Sequence, residues 1–180
     1  SWSTPACRLG KAGQWRAAEG VFRRHSGLCD RVSRETMALA YGWAGQAREA
    51  EGMVKNMLSR GETPSDYAFS GVVAAYRISN RPRRAFQIRS RMRVLGIPPS
   101  VHVYNELLLV CERQQMWDKA LELIQAMQRE GVEPNKTTHD ILVVVRQEGM
   151  KTVEDQQAAA AALSAVATVA GAFLLRTGLL

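Results

Sequence analysis

A chain of 180 residues is about one domain's worth of sequence, and its 46% hydrophobic fraction is ample for a packed structure. Lysine and arginine outnumber the acids 24 to 17, a net charge of +7 that suits anionic partners such as phosphates, lipid headgroups or acidic protein surfaces. Cys7, Cys29 and Cys111 are odd in number and far apart, which excludes a disulfide framework and a cysteine zinc site.

Residues 1–30 read as an irregular partial unit. Ser1 to Ala12 is a short lead-in, and a start on Ser rather than Met points to a mature form or a fragment. Gly13, Ala18, Val21, Phe22 and His25 then fall at positions that recur as a second helix further along, with Gly27 at its end.

Three units follow at a constant period of 35: 31–65, 66–100 and 101–135. Each opens with a helical stripe at i, i+3, i+4, i+7 spacing. The stripes are Met37, Ala38 and Tyr41; then Phe69, Val72, Val73 and Tyr76; then Tyr104, Leu107, Leu108 and Cys111. A second stripe comes next: Ala50, Met53 and Met57; Ala85, Ile88 and Met92; Ala120, Leu123, Ile124 and Met127. Each unit closes on glycine and proline, at Gly61 and Pro64, Gly96 and Pro99, Gly131 and Pro134. Glycine tolerates the left-handed conformation that stops a helix, and proline cannot continue one. Alanine lets two helices approach closely, and methionine fills irregular gaps between units. A single such hairpin is marginal, so the units must bury their stripes on one another.

Arg34 departs from the pattern, since Phe69 and Tyr104 hold its place in the other units. Trp15, Pro82 and Trp117 occupy matching places at the starts of second helices, where proline suits the first turn and the tryptophans suit packing at the hairpin junction. The unit 66–100 carries Arg77, Arg81, Arg83, Arg84, Arg89, Arg91 and Arg93 against Asp66 alone. That excess is expected to form a basic docking patch.

The wording VYNELLLVC…ALELIQAMQREGVEPN resembles the pentatricopeptide repeat, a 35-residue helix-turn-helix unit. Residues 31–135 match it in full register, and partial matches extend over roughly residues 13–146. The resemblance implies an all-α fold, an αα-hairpin solenoid coiled as a right-handed superhelix. It also implies single-stranded RNA binding in mitochondria or plastids, one base per unit, with base choice at the fifth and last residues of each. In this chain those are Asn105 with Asn135, Ser70 with Ser100, and Glu35 with Ser65. Asn105 with Asn135 is similar to a pyrimidine-reading pair. Ser70 with Ser100 is weak, and Glu35 departs from the pattern by placing an acid where phosphate would pass.

Residues 136–150 begin a further unit with Ile141, Leu142, Val144 and Val145, but no second helix follows in register and Asp140 has no matching last residue. Residues 151–180 change composition abruptly. Ala158 to Leu175 is uncharged and, as a helix, spans roughly 27 Å, close to a bilayer's hydrocarbon core. It is expected to be a hydrophobic C-terminal helix, with Ala158, Leu163, Val166, Val169, Phe173, Leu174 and Leu175 facing lipid or, alternatively, capping the solenoid. Ala167 and Gly171 suit close helix packing within a membrane.

No catalytic constellation is present: there is no phosphate loop, no His-Glu-x-x-His and no nucleophile with a base. His25 falls at a core-edge slot and is expected to be structural, and His102 and His139 open their first helices, so neither a metal nor a cofactor is expected. Two functions fit. The first is a non-catalytic scaffold that docks to protein subunits of a larger organellar complex through the arginines, anchored at the membrane by residues 158–175. The alternative is a single-stranded RNA-binding protein of organellar RNA processing or translation.

Overall fold

The computed structural model describes residues 15–24, 30–145 and 147–148. All regular structure among them is helical. Helix α1 is Trp15–Arg24. Three hairpins follow: α2 (Arg31–Trp43) with α3 (Ala47–Ser59), α4 (Asp66–Ile78) with α5 (Pro82–Val94), and α6 (Val101–Arg113) with α7 (Trp117–Arg129). From hairpin to hairpin every boundary recurs at a spacing of 35 residues. A last helix, α8, covers residues 136–145. The chain divides into two units, Ser1–Ile141 and Leu142–Leu180. The first is the solenoid; in the second, the described residues 142–145 and 147–148 are helical.

Both ends of each hairpin stop by the same device. Gly61, Gly96 and Gly131 have φ near +70°, and the residue after each donates its N–H to the carbonyl of Met57, Met92 or Met127, at 2.9–3.0 Å. No atom would crowd a Cβ at these glycines, so the left-handed backbone alone calls for them. The turns inside the hairpins repeat the motif at Gly45, Asn80 and Gln115, with φ of 71°, 55° and 54°. There the closing bonds run from Gln46, Arg81 and Met116 to the carbonyls of Tyr41, Tyr76 and Cys111, at 2.8–2.9 Å.

The first helices stack on one another, α2 on α4 and α4 on α6; α3 and α5 each pack on the first helix of their own unit and of the next, α1 packs on α2, and α7 on α6. Phe69, Tyr104, Met37, Met57, Met92 and Met127 are fully buried between them, as are Ala50, Ala85 and Ala120. Where α2 crosses α4 the backbones nearly touch: a Cβ on Gly42 would lie 2.4 Å from the Gly71 carbonyl oxygen. One unit later the equivalent places hold Arg77 and Glu106, whose Nε–Oε2 contact is 2.9 Å.

The basic face of unit 66–100 is smaller than its composition implies. Arg77, Arg89 and Arg91 pair with Glu106, Glu130 and Glu51, at 2.9, 2.8 and 3.2 Å. Those acids lie in neighbouring units, so no charge count within one unit reveals them. Arg81, Arg83, Arg84 and Arg93 remain exposed. Arg34, in the aromatic slot, is buried and its guanidinium meets the Glu62 carboxylate on two bonds. The expected hydrophobic helix over residues 158–175 lies outside the described residues. Among those described, no helix is long and apolar enough to cross a membrane.

Candidate functional site

The fifth residue of each unit sits one turn into a first helix, and the last residue caps the start of the next first helix. The solenoid therefore repeats one polar position along one edge, and each copy is built differently. At the first, the Ser65 backbone N–H donates to Glu35 Oε1 at 3.0 Å, and the same oxygen lies 3.3 Å from Arg31 Nε. Two partners hold that acid in place. At the second, the Ser70 hydroxyl turns back to the Tyr67 carbonyl at 2.8 Å, while Ser100 Oγ is buried with no hydrogen-bond partner among the described residues.

The third copy is a closed network. Asn105 Nδ2 donates to Asn135 Oδ1 at 3.1 Å. The Thr138 backbone N–H donates to that oxygen at 3.0 Å, and the Asn135 backbone N–H donates to Thr138 Oγ1 at 3.1 Å. Reciprocal bonds of this kind form a capping box, with threonine in the place more often held by glutamate. Thr138 Oγ1 also lies 2.7 Å from Asn105 Oδ1. Asn105 is only 6% exposed, and Thr138 is fully buried. The pair that most resembles a pyrimidine reader is thus the one whose two side chains the fold joins directly and holds rigid.

Beside this edge lie residues that motif matching passed over. Tyr67 and His102, each the second residue of its unit, stack with ring centroids 4.8 Å apart and an interplanar angle of 34°. Tyr67 is 49% exposed, and Val32 at the same register is exposed too. Their shared place as the second residue of each unit is visible in the sequence as a register position. Together these side chains offer flat or apolar faces next to hydrogen-bonding groups, the combination that unstacked bases require.

Charge is concentrated at the hairpin turns. A shallow surface crevice between the turns of units 66–100 and 101–135 is lined by Arg77, Arg81 and Arg113, with Tyr76 and Pro82. Gln114 Nε2 donates to Asn80 Oδ1 across it at 2.8 Å. Of the seven arginines in the expected patch, Arg77 and Arg81 join this crevice, and Arg83, Arg84, Arg89, Arg91 and Arg93 belong to α5.

The remaining candidates are structural. Burial pushes the Cys111 thiol up to about 11, which keeps it protonated in the core. Trp15 packs against Tyr41 with centroids 5.9 Å apart, and Pro82 occupies the first turn of α5. His25, Cys7 and Cys29 lie outside the described residues. No group of three or more His, Cys, Asp or Glu among the described residues is placed to hold a metal ion.

Comparison with known proteins returns three family models: a PPR repeat family over residues 99–144, a pentatricopeptide repeat domain over 52–114, and a PPR repeat over 34–62. A chloroplastic pentatricopeptide repeat-containing protein of Arabidopsis thaliana is 28% identical over 54% of this chain and 20% of its own length. The mitochondrial 15S rRNA processing factor of Saccharomyces cerevisiae is 26% identical over 47% of this chain and 10% of its own. This chain thus spans about a fifth or less of the curated relatives it matches. Among solved structures, the repeat protein PPR10 bound to an 18-nucleotide psaJ RNA element aligns with a TM-score of 0.73 at 23% identity, over 85% of this chain and 23% of that one. The PPR domain of Arabidopsis thaliana protein-only RNase P 1, bound to tRNA, aligns with a TM-score of 0.65 at 18% identity, over 85% of this chain and 81% of that one. Both likenesses are of fold.

Proposed function

The chain belongs to the pentatricopeptide repeat family, and from that premise we propose that its solenoid binds single-stranded RNA in a plastid or mitochondrion, serving RNA processing or translation there. The observation that carries this is the Asn105–Asn135–Thr138 network. It holds two carboxamides at the register where a base edge would be met, on the unit whose His102 ring stacks on the exposed Tyr67. Stacking on such faces is worth about 1–3 kcal/mol per base and tolerates any sequence, so base choice falls to the amides. Arg81 and Arg113 at the turn crevice suit the phosphates of the same strand. The relatives named as chloroplastic or mitochondrial support the compartment. No catalysis is assigned to the repeats.

Docking on a protein partner is the less supported function for this chain: three of the seven arginines offered for it pair with acids of neighbouring units.

Titration of short pyrimidine-rich strands by fluorescence anisotropy tests the proposal. Binding is expected to weaken as salt rises, because phosphate contacts release counterions. Changing Asn105→Ala and Asn135→Ala together is expected to reduce the preference for pyrimidine over purine strands about tenfold, at little cost to salt-sensitive affinity. Wild-type protein that binds no strand, or binds with no salt dependence, would exclude RNA as its ligand.

A further inference from the structure

We propose that Thr138 is a positioning residue that turns the carboxamide oxygens of Asn105 and Asn135 inward, so that their slot offers only N–H donors and prefers cytosine to uracil. The inference rests on the RNA binding proposed above.

The orientation of both amides follows from groups whose chemistry leaves no choice. A backbone N–H can only donate, and that of Thr138 points at one atom of the Asn135 side chain, 3.0 Å away. That atom is therefore the oxygen. The Asn105 atom 3.1 Å from the same oxygen must then be nitrogen, which leaves Asn105 Oδ1 facing Thr138 Oγ1 at 2.7 Å. Thr138 Oγ1 accepts the Asn135 backbone N–H, so its own hydrogen is free to donate. Asn135 Oδ1, at 2.9 Å, already accepts two N–H groups, so that hydrogen goes to Asn105 Oδ1. Both carbonyl oxygens are thereby engaged inside the protein. What is left to meet a ligand is the amide nitrogen of Asn135, which has no hydrogen-bond partner among the described residues, and the second hydrogen on Asn105 Nδ2.

The other two copies of the position show what the hydroxyl adds. Ala68 and Val103 stand three residues after Ser65 and Ser100, as Thr138 stands three after Asn135. In both, the serine hydroxyl is buried without a hydrogen-bond partner among the described residues. The side chain at this place decides whether the polar pair is fixed or loose. Capping alone would explain Thr138 and Asn135, but it gives Thr138 no reason to engage Asn105 in the preceding unit.

A slot of donors selects among bases by their edges. Cytosine presents two adjacent acceptors, N3 and O2. Uracil's two carbonyls flank an N3–H that a donor slot leaves unpaired. On their Watson–Crick edges adenine and guanine each present a single acceptor beside donors or a C–H, and only guanine's Hoogsteen edge, with O6 and N7, offers another acceptor pair. An unpaired donor facing another donor is the costly case.

The test uses the full chain with ten-nucleotide oligo(C), oligo(U) and oligo(A) at pH 7.5, measured by anisotropy alongside thermal melts. Wild-type protein is expected to bind oligo(C) about fivefold or more tighter than oligo(U). Thr138→Ser keeps the hydroxyl and is expected to keep that ratio. Thr138→Val and Thr138→Ala free Asn105 to present its oxygen, and the ratio is expected to fall toward one while oligo(U) affinity holds or rises. A purely structural threonine would lower affinity for all strands together and leave the ratio unchanged. A wild-type ratio near one, or a ratio that survives both Val and Ala, overturns the inference and leaves RNA binding standing. Failure to bind any strand removes RNA binding and the inference with it.

Discussion

Arg34 and Glu62 show how a single position can depart from a repeat without breaking it. The place is a core slot that Phe69 and Tyr104 fill elsewhere, and Arg34 is only 7% exposed there. A guanidinium so placed must keep a carboxylate, and Glu62 supplies it on two bonds. Removing one member of a fully buried pair takes away the other's counter-charge at a cost of about 3–5 kcal/mol; replacing both by apolar side chains is often neutral or stabilising. Glu62→Ala is therefore expected to lower stability by about 2–4 kcal/mol in chemical denaturation. The double change Arg34→Phe with Glu62→Ile, which restores the apolar pattern of the neighbouring units, is expected to match or exceed wild type. Equal loss in the single and double variants would show that the slot no longer fits an aromatic. Arg34 was legible in the sequence as a departure. Its remedy, 28 residues away, was not, because ion pairing leaves no periodic trace.

At the level of helices, the crossing of α2 on α4 depends on two glycines. A Cβ at Gly42 would press on the Gly71 carbonyl at 2.4 Å, and one at Gly71 would lie 2.9 Å from the Ala38 carbonyl oxygen. Backbone cannot move aside as a side chain can. Gly42→Ala improves helix propensity by about 1 kcal/mol, but it must separate two stacked helices. It is expected to destabilise by about 1–3 kcal/mol net, read as a lower denaturation midpoint. The same change at Gly52, where no atom lies within 4 Å of the added Cβ, is expected to stabilise. The elements themselves were the most legible part of this chain. Met, Ala, Gly and Pro recur because each unit meets the same helix ends and the same core. Less legible were the left-handed turns at Asn80 and Gln115, since only Gly45 announces the first turn by its residue type. The polar edge was legible only as paired positions. That Thr138 belongs to it shows in the hydrogen bonds and nowhere in the repeat pattern.

Across the whole solenoid, units are also joined by charge. Tyr76 donates to Glu51 and Tyr104 to Glu130, and Arg91 and Arg89 complete the two clusters from unit 66–100. The hydrogen bond from Tyr76, ahead of the positive charges of Lys55 and Arg91, holds the Glu51 carboxyl below the usual carboxylate range. Burial opposes the charge at Glu130, but bonds from Tyr104 and Arg89 outweigh it and the net direction is again down. Burial first, then the neighbouring acid, pushes Tyr76 and Tyr104 up to about 12. A depressed carboxyl contributes stability above its unfolded pKa and loses it as pH falls through the folded one; a raised phenol contributes below its unfolded value of about 10 and loses it as pH rises toward the folded one. The melting temperature is expected to be flat near neutrality, to fall below about pH 4.5, and to fall again between about pH 10 and 12. With Glu51→Gln and Glu130→Gln together, the acid-side fall should shrink, and an unchanged acid limb would place its cause elsewhere. The contacts between first helices carry a further consequence. The same two register places bring Gly42 to Gly71 at one junction and Arg77 to Glu106 at the next. A rearranged array that set unit 31–65 directly before unit 101–135 would put Glu106 opposite Gly42, without its arginine. These hairpins share a shape but are not interchangeable parts: each junction accepts the neighbour it has, and the sequence of units along the chain is itself encoded in the packing.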